Sequence, residues 1–373
     1  MMTSKERLWR IFRGEDVDRP AFKLWGLSIG QSMMAPAYRP VYERALELTD
    51  IMEEIYSPLN VFFGSDPQCK IWWEDKPLEG TEWVDRYTYY QIGDRTLRSI
   101  FRYSTIGSPG YDMEHMIKEP EDLKALLSVP YKPYPIDTDL YYRAVEKVGD
   151  KGLVMFGLDH AAYAVCRKIG SERFALMCID DRDLIKEAVY TYAKRIRDHV
   201  KAVLDTGIRP IFSWVGPELI IPPLVRMDEF EEFVFEVDKP LCDLIHDAGG
   251  YVWVHCHGRV GKLLKRFAEM GVDVLNPIEP PPQGDVTLKE AVELVGNSMG
   301  LEGNIEMASL QLSRPEELKE QIRQAVEEGS QSKRFILGPT AGYMEYPLPT
   351  EQYIQNLMVY LEYGYECVSK VKY

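Results

Sequence analysis

The stretch VWVHCHG, residues 252–258, places two histidines one residue apart directly after an apolar run. The whole chain has only six histidines, so His255 and His257 form an unusual concentration of imidazole groups. Catalytic zinc sites combine imidazoles and carboxylates, usually as three protein ligands with one position left open. Glu279 ends the next apolar run and supplies a carboxylate. We therefore predict His255, His257 and Glu279 as metal ligands, with Glu218 and Glu302 as reserve candidates.

The two histidines share one face if VWVHCHG is a strand. Successive side chains of a strand point to opposite faces, so Trp253, His255 and His257 lie together and Cys256 lies opposite. At a rise of ~3.3 Å per residue, the two rings lie about 6–7 Å apart and can lean toward one ion. The alternative is that both histidines only make hydrogen bonds, with Glu279 in a salt bridge or helix cap. Cys256 is expected to be a small buried residue.

The elements that must position these residues alternate regularly from about residue 150 onward. Strand, loop and helix repeated in this way are typical of parallel strands with crossover helices. Neither a GxGxxG nor a GxxxxGK[ST] motif marks a nucleotide-binding sheet. The sequence therefore predicts an α/β fold, a (β/α)8 TIM barrel, and we interpret residues 1–373 as a single domain.

Two elaborations precede this alternation. Thr3 and Glu6 have capping-box spacing at the start of an amphipathic helix that ends at Gly14. Residues 70–105 are rich in aromatic and β-branched residues and predict one or two antiparallel hairpins that cap one end of the barrel.

Barrel enzymes carry their active sites at the C-terminal ends of the strands. Polar residues fall at the predicted strand ends of this chain, together with the loop GPTAGY: Asp159, His160, Glu218, His255, His257, Glu279 and Glu302. A purely structural strand end would need only turn residues, so this pattern favours an active site.

Charge and hydropathy exclude several classes of partner. The chain of 373 residues has a formal net charge of -15, which disfavours nucleic acid and anionic membranes. The N-terminus has no apolar signal core, and no stretch approaches the ~20 apolar residues of a membrane span. The six cysteines form no CxxC motif. We therefore expect a cytoplasmic protein with reduced thiols.

Several segments resemble the uroporphyrinogen decarboxylase superfamily, and within it the corrinoid-dependent methyltransferases. The likeness covers nearly the whole chain, implies a (β/α)8 barrel, and is carried by the segments TSKERLWRIFRGEDVDRPAF, EPEDLKAL, VHCHG, GVDVLNPIEP and GLEGNIE. The methyltransferase branch binds zinc through His-x-Cys-Gly, a glutamate at the next strand, and a late cysteine. His255, Gly258 and Glu279 match that pattern. His257 replaces the first cysteine, and the loop LGPTAGYMEYP has no cysteine.

The loss of both thiolates changes the chemistry that this resemblance implies. A site of histidines and a carboxylate is harder and more Lewis acidic than a thiolate site, which suits an ether oxygen. The resemblance thus implies a zinc-dependent methyltransferase of the O-demethylase type. It would take a methyl group from a small methylated compound, for example a methoxy-aromatic one, and pass it to a corrinoid (cobalamin). Since this chain has no D-x-H-x-x-G motif, the corrinoid would be carried by a separate partner protein.

Breaking a methyl–oxygen bond leaves negative charge on oxygen, so a proton donor would help by roughly 10²–10⁴-fold. Asp159, His160 and Tyr343 are candidates near the mouth of the barrel, and His160 leads because imidazole titrates near neutral pH. The alternative for His160 is a hydrogen bond to a loop carbonyl. Candidates for an aromatic substrate pocket are Trp25, Trp72, Trp73, Tyr89 and Tyr90, for which ordinary packing is the alternative.

Two other functions stay open at this point. Uroporphyrinogen decarboxylases carry an arginine-rich loop of the type MRQAGR after the first strand, where this chain reads KLWGLSIGQS without arginine. This disfavours uroporphyrinogen as substrate but leaves a decarboxylase of another carboxylated compound as an alternative. A non-catalytic ligand-binding barrel is the second. The sequence identifies neither the methyl donor nor the oligomeric state, with a homodimer among the options.

Overall fold

The computed structural model describes residues 2–31, 35–56, 59–342 and 348–373. Within these residues the strands are β1 (Ala21–Phe22), β2 (Ile51–Tyr56), β3 (Lys70–Pro77), β4 (Trp83–Ile92), β5 (Arg95–Ser104), β6 (Tyr111–Glu114), β7 (Gly152–Leu158), β8 (Ile211–Val215), β9 (Tyr251–His255), β10 (Val274–Ile278), β11 (Gly300–Ile305) and β12 (Phe335–Pro339).

Eight of these strands form one parallel sheet in the order β1-β12-β11-β10-β9-β8-β7-β2. A backbone hydrogen bond from Asp50 N–H to the Phe22 carbonyl, at 2.6 Å, joins the two ends of this order. The sheet curls on itself with helices between its strands. The predicted (β/α)8 barrel is therefore confirmed.

Most of the helices lie around the outside of the barrel, whereas α1 packs against its N-terminal end. In chain order they are α1 (Ser4–Arg13), α2 (Arg39–Leu48), α3 (Pro120–Leu127), α4 (Thr138–Val148), α5 (Ala161–Ile169), α6 (Ser171–Asp180), α7 (Arg182–Asp205), α8 (Met227–Phe230), α9 (Glu236–Asp247), α10 (Leu264–Met270), α11 (Leu288–Val295), α12 (Met307–Leu312), α13 (Pro315–Gly329) and α14 (Glu351–Lys370).

Helix ends are set by local chemistry that is visible in the sequence. The Thr3 side chain accepts a hydrogen bond from the Glu6 backbone N–H, and Gly14 ends α1 in the left-handed region at φ 68°. Thr287 and Glu290 form a reciprocal capping box at the start of α11, which satisfies free N–H groups of its first turn. These predicted caps are confirmed.

Apolar side chains fill the lower half of the barrel. Leu8 and Phe12 of α1 pack against inward-facing residues of the strands, including Leu153 and Ile211. Helix α1 therefore closes the N-terminal end, and the opposite, C-terminal end is left for polar side chains. A second apolar layer lies between the strands and the surrounding helices.

The remaining strands form a separate antiparallel sheet in the order β3-β4-β5-β6. The predicted hairpin region is confirmed, and β6 adds a strand beyond residue 105. Two arginine–carboxylate pairs cross neighbouring strands, Arg86 to Asp75 at 2.8 Å and Arg102 to Asp85 at 2.6 Å. Paired charges of this kind stabilise a strand register modestly.

None of the helices in the described part of the chain combines the length and the apolar character that crossing a bilayer requires.

Candidate active site

Strand β9 carries the histidines to the C-terminal end of the barrel. Val252 and Val254 are fully buried on the face toward the helices, and Cys256 is also fully buried. His255 and His257 lie with their ring centroids 4.5 Å apart and their planes at 87°. The alternation predicted from VWVHCHG thus brings the two imidazoles together. Burial raises the pKa of the Cys256 thiol well above its usual value, which favours the protonated thiol of a small buried residue.

Asn276 of β10 holds His255. The distance from His255 Nδ1 to Asn276 Oδ1 is 2.6 Å, and both side chains are buried. Because Asn276 Oδ1 only accepts, Nδ1 carries the proton and Nε2 keeps its lone pair. Burial, reinforced by the charge of His257, lowers the pKa of His255 to about 4. His255 is therefore neutral at pH 7, the form that binds metals.

Glu279, directly after β10, holds His257. Its Oε1 lies 2.8 Å from His257 Nδ1, and its Oε2 accepts a hydrogen bond from Gly258 N–H at 2.6 Å. Burial is the largest single influence and opposes charge on both groups, but their hydrogen bonds and mutual attraction together outweigh it. The pKa of His257 is raised and that of Glu279 is lowered. The pair therefore favours an imidazolium and a carboxylate.

Two further carboxylates face this cluster, and each is only partly satisfied. Glu218, just after β8, and Glu306, just after β11, each have one buried oxygen with no hydrogen-bond partner among the described residues. Burial raises the pKa of Glu218. Burial and then the charge of Glu279 raise the pKa of Glu306 to about 7. Unpaired buried carboxylate oxygens are costly, so this cluster favours a bound positive charge.

As placed, no three histidine, cysteine, aspartate or glutamate groups of the described residues are arranged to hold one metal ion. Both oxygens of Glu279 accept hydrogen bonds as placed, from His257 Nδ1 and Gly258 N–H. The Nε2 atoms of His255 and His257 have no hydrogen-bond partner among the described residues. Once His257 releases its Nε2 proton, the two imidazole nitrogens and the unpaired oxygens of Glu218 and Glu306 form a donor set that suits zinc, because metal binding displaces ligand protons.

Glu306 is the residue that sequence reasoning missed. The segment GLEGNIE offers two glutamates, and Glu302 was assigned to the strand end. In the structure β11 continues to Ile305, so Glu302 lies inside the barrel. It accepts hydrogen bonds from Lys23 Nζ and Trp253 Nε1, both at 2.8 Å. Glu302 is therefore committed to an ion pair, and a longer strand assignment would have pointed to Glu306.

Two of the three predicted proton donors, Asp159 and His160, lie within the described residues, directly after β7. His160 is 2% exposed and caps α5, accepting a hydrogen bond from Tyr163 N–H at Nδ1. Its Nε2 lies 3.1 Å from Asp238 Oδ2 of α9, without the angles of a hydrogen bond. Asp159 lies on the exposed rim, where the surrounding strand ends still desolvate its carboxyl and raise its pKa. Tyr343 lies outside the described residues.

Only one of the proposed aromatic residues meets the site. Trp25, just after β1, stacks on His255 with ring centroids 4.8 Å apart, and on Trp253 at 5.9 Å. The other four belong to the antiparallel sheet and its contacts: Trp72, Trp73, Tyr89 and Tyr90. A cavity of about 300 Å³ opens beside Trp25 and Trp253, between β1 and β2. This volume suits a small molecule.

Residues 113–362 match the model of one protein family, uroporphyrinogen decarboxylase (URO-D). The eight-stranded barrel with polar groups at its C-terminal end is the architecture that the resemblance implied. The chain therefore belongs to the uroporphyrinogen decarboxylase family.

One solved structure similar to this chain is a methyltransferase from Methanosarcina mazei. Its TM-score is 0.59 at 17% identity, and the match covers 98% of this chain and 100% of that one. Likeness at this identity shows a shared fold.

Two weaker matches bear on neither fold nor function. The native KDPGal structure has a TM-score of 0.28 at 14% identity, covering 63% of this chain and 92% of that one. A GH20 catalytic module of the pneumococcal exo-β-D-N-acetylglucosaminidase StrH has a TM-score of 0.37 at 9% identity, covering 94% and 86%. No curated protein sequence matches this chain.

Proposed function

We propose that this chain is a zinc-dependent methyltransferase that demethylates a small methylated compound and passes the methyl group to a corrinoid on a separate protein. One observation carries the proposal. Two imidazoles, of His255 and His257, meet unpaired carboxylate oxygens at the C-terminal end of a barrel, beside a cavity walled by tryptophan. A methyltransferase also stands among the proteins that share this fold.

The proposed zinc ligands are His255, His257 and Glu279, with Glu306 as a further carboxylate. Zinc held there would act as a Lewis acid toward an oxygen of the substrate. Asn276 keeps His255 neutral and fixes its orientation. Glu279 orients His257 in the same way, and Trp25 covers the flat side of His255 against water. Partners of this kind typically contribute 10–100-fold to metal affinity.

Asp159, His160 and Tyr343 remain the proposed sources of a proton for the leaving group. The Asp159 side chain is exposed, whereas the His160 side chain is buried against Asp238. His160 can therefore act either as the donor or as the residue that positions the start of α5.

Metal analysis of protein purified without a histidine tag tests the zinc site directly. We expect about one zinc per chain. His257→Ala should lose most of it while the circular dichroism spectrum stays unchanged. His115→Ala is the matched control, because His115 is a partly exposed imidazole whose hydrogen-bonding partner is the Arg167 carbonyl, 3.1 Å from Nδ1, and neither His255 nor His257. Stoichiometric zinc in His257→Ala would refute the ligand assignment.

Methyl transfer to free cob(I)alamin separates an enzyme from a binding protein. We expect methylcobalamin to form from a methoxy-aromatic donor, and its formation to depend on bound zinc. Metal-replete protein that transfers no methyl group from any methylated donor tested would contradict the proposal and favour a ligand-binding barrel.

The second candidate function is decarboxylation, because the family that the chain belongs to is named for that reaction. The site argues against a highly carboxylated substrate. The carboxylates Glu218, Glu279 and Glu306 surround the histidines, and like charges repel. A direct decarboxylation assay with smaller carboxylated compounds distinguishes the two functions.

A further inference from the structure

Three buried polar atoms meet at a small cavity between the barrel and its helices. The atoms are His160 Nε2, Trp214 Nε1 and Asp238 Oδ2, and their residues are 2%, 1% and 3% exposed. Within the described part of the chain, none of these atoms has a hydrogen-bond partner. All three residues line the same cavity of about 10 Å³. Because buried polar atoms without partners are rare in native proteins, this convergence indicates a bound molecule.

Strand alternation explains why His160 faces the helices. Met155 of β7 packs inside the barrel, whereas Leu158 packs in the layer between strands and helices. His160 lies two residues beyond Leu158, and side chains two residues apart share a face. Trp214 of β8 also packs in the outer layer, and Asp238 reaches the cavity from α9. The cavity is therefore separate from the inside of the barrel and from its histidine pair.

The hydrogen-bonding roles of the three atoms follow from their chemistry. His160 Nδ1 accepts a hydrogen bond from Tyr163 N–H at 3.2 Å, so the ring proton lies on Nε2. The indole Nε1–H of Trp214 can only donate, and an ionised Asp238 carboxylate can only accept. Asp238 Oδ2 lies 3.1 Å from His160 Nε2, but without the angles of a hydrogen bond. The cavity therefore offers two N–H donors and one acceptor.

We propose that this cavity binds one water molecule, which accepts hydrogen bonds from His160 Nε2–H and Trp214 Nε1–H and donates one to Asp238 Oδ2. A buried water needs about 10–15 Å³ and 2–4 polar partners. The cavity meets the lower limit of that volume and supplies three partners. Asp159, which also lines the cavity, is a candidate acceptor for the second proton of the water.

A charged ligand fits this cavity less well than water. The N–H groups of His160 and Trp214 present the positive ends of their dipoles, and Arg197 lines the same cavity. A metal ion or an ammonium group could not accept hydrogen bonds from these donors. An anion would be repelled by Asp238. Only a small neutral molecule that both accepts and donates satisfies all three atoms.

The water gives His160 a positioning role. It holds the ring with Nδ1 toward Tyr163 N–H, where His160 caps the first turn of α5 directly after β7. The only proton of the ring then points toward the water and not toward the mouth of the barrel. This inference goes beyond the proposed function and needs no methyl transfer. Where the two meet, it favours Asp159 over His160 as the source of a proton.

A crystal structure of the metal-free protein tests the site directly. We expect one water within ~2.7–3.2 Å of His160 Nε2, Trp214 Nε1 and Asp238 Oδ2. A direct hydrogen bond from His160 to Asp238 without that water would overturn the proposal. A metal ion or another solute at the same position would overturn it as well.

Nuclear magnetic resonance of the ring nitrogens tests the positioning role in solution, again without metal or methyl donor. We expect the nitrogen shifts of His160 to show the Nε2–H tautomer alone. The Nε2–H proton should exchange with solvent about 5-fold faster in Trp214→Phe, which removes one hydrogen bond to the water. Trp9→Phe is the matched control, because Trp9 lies on α1 at the opposite end of the barrel. It should leave that exchange rate unchanged.

A second variant keeps the test decisive if Trp214→Phe does not fold. Asp238→Asn should also speed the exchange, because a neutral amide accepts a weaker hydrogen bond from the water. An Nδ1–H tautomer of His160 in the wild type, or an unchanged exchange rate in the variant that folds, would overturn the positioning role. None of these measurements involves a methyl donor, so failure of the proposed function and failure of this inference are distinguishable.

Discussion

The ion pair inside the barrel leads to a quantitative prediction. Lys23 Nζ lies 2.8 Å from Glu302 Oε1, and the two side chains are 8% and 1% exposed. Glu302 accepts one other hydrogen bond, from Trp253 Nε1 at 2.8 Å. The change Lys23→Met keeps a long side chain in the barrel. It leaves the Glu302 carboxylate buried with that single donor.

The size of the effect follows from the uncompensated charge. Removing one partner of a buried ion pair costs ~3–5 kcal/mol, and we expect this loss in the free energy of unfolding of Lys23→Met, measured by urea denaturation. The double variant Lys23→Met/Glu302→Gln removes the charge and keeps an acceptor for Trp253. Its loss should fall to about 1–2 kcal/mol, because only hydrogen-bond satisfaction is affected.

The control is Lys201→Met, which breaks an ion pair of the same length at the surface. Lys201 lies 2.8 Å from Asp205, and the two side chains are 62% and 65% exposed. Exposed pairs contribute ~0–1 kcal/mol, so this variant should be nearly as stable as the wild type. The reasoning is refuted if Lys23→Met costs no more than Lys201→Met, or if the double variant is as unstable as the single one.

Three further predictions concern pH, catalysis and substrate. Burial lowers the pKa of His199 to about 4, so its contribution to stability is present above its ordinary value of 6.5 and is lost as the pH falls toward 4. Between pH 7.5 and 5, the free energy of unfolding of His199→Leu should therefore fall by about 2 kcal/mol less than that of the wild type. His115→Leu is the control, and identical pH profiles of His199→Leu and the wild type would contradict this prediction. If His160 is the proton donor, His160→Ala should lower methyl transfer most for poor leaving groups and least for activated phenolic ethers; equal losses across that series, or no loss, would leave it a positioning or structural residue. Uroporphyrinogen should not be decarboxylated, and formation of coproporphyrinogen at a useful rate would overturn that prediction.

The barrel could be predicted from the sequence because its signals are local and repeated. Each βα unit contains its own apolar run, its own amphipathic segment and its own cap, as Thr287 and Glu290 show for α11. The caps and the alternation act within a few residues, so the printed sequence contains them in full. Closure of the barrel depends instead on long-range pairing, such as the hydrogen bond from Asp50 N–H to the Phe22 carbonyl. Closure is therefore predicted only indirectly, from the number of repeated βα units.

The histidine pair could be predicted for the same reason, whereas its partners could not. Alternation along β9 is a local rule and places His255 and His257 together. The partner of His255 is Asn276, which lies opposite it in the register of β9 and β10. That register is set by packing across the whole sheet. The buried position of His160 against Asp238 likewise depends on how α9 packs against α7 and β9, which no local pattern shows.

The sequence predicted Glu302 at the mouth of the barrel, where the structure has Glu306. This difference changes the chemistry of the site. A shift along β11 decides whether a carboxylate faces Lys23 inside the barrel or His257 at its mouth. Lys23 compensates the charge of Glu302 inside the barrel. The carboxylates that face the histidines at the mouth are Glu218, Glu279 and Glu306. The raised pKa of His257 favours an imidazolium, which compensates part of their negative charge. Two of these carboxylates keep a buried, unpaired oxygen. A cation bound at the Nε2 atoms of the two histidines would compensate these charges, which is why metal analysis is the most direct test of the site.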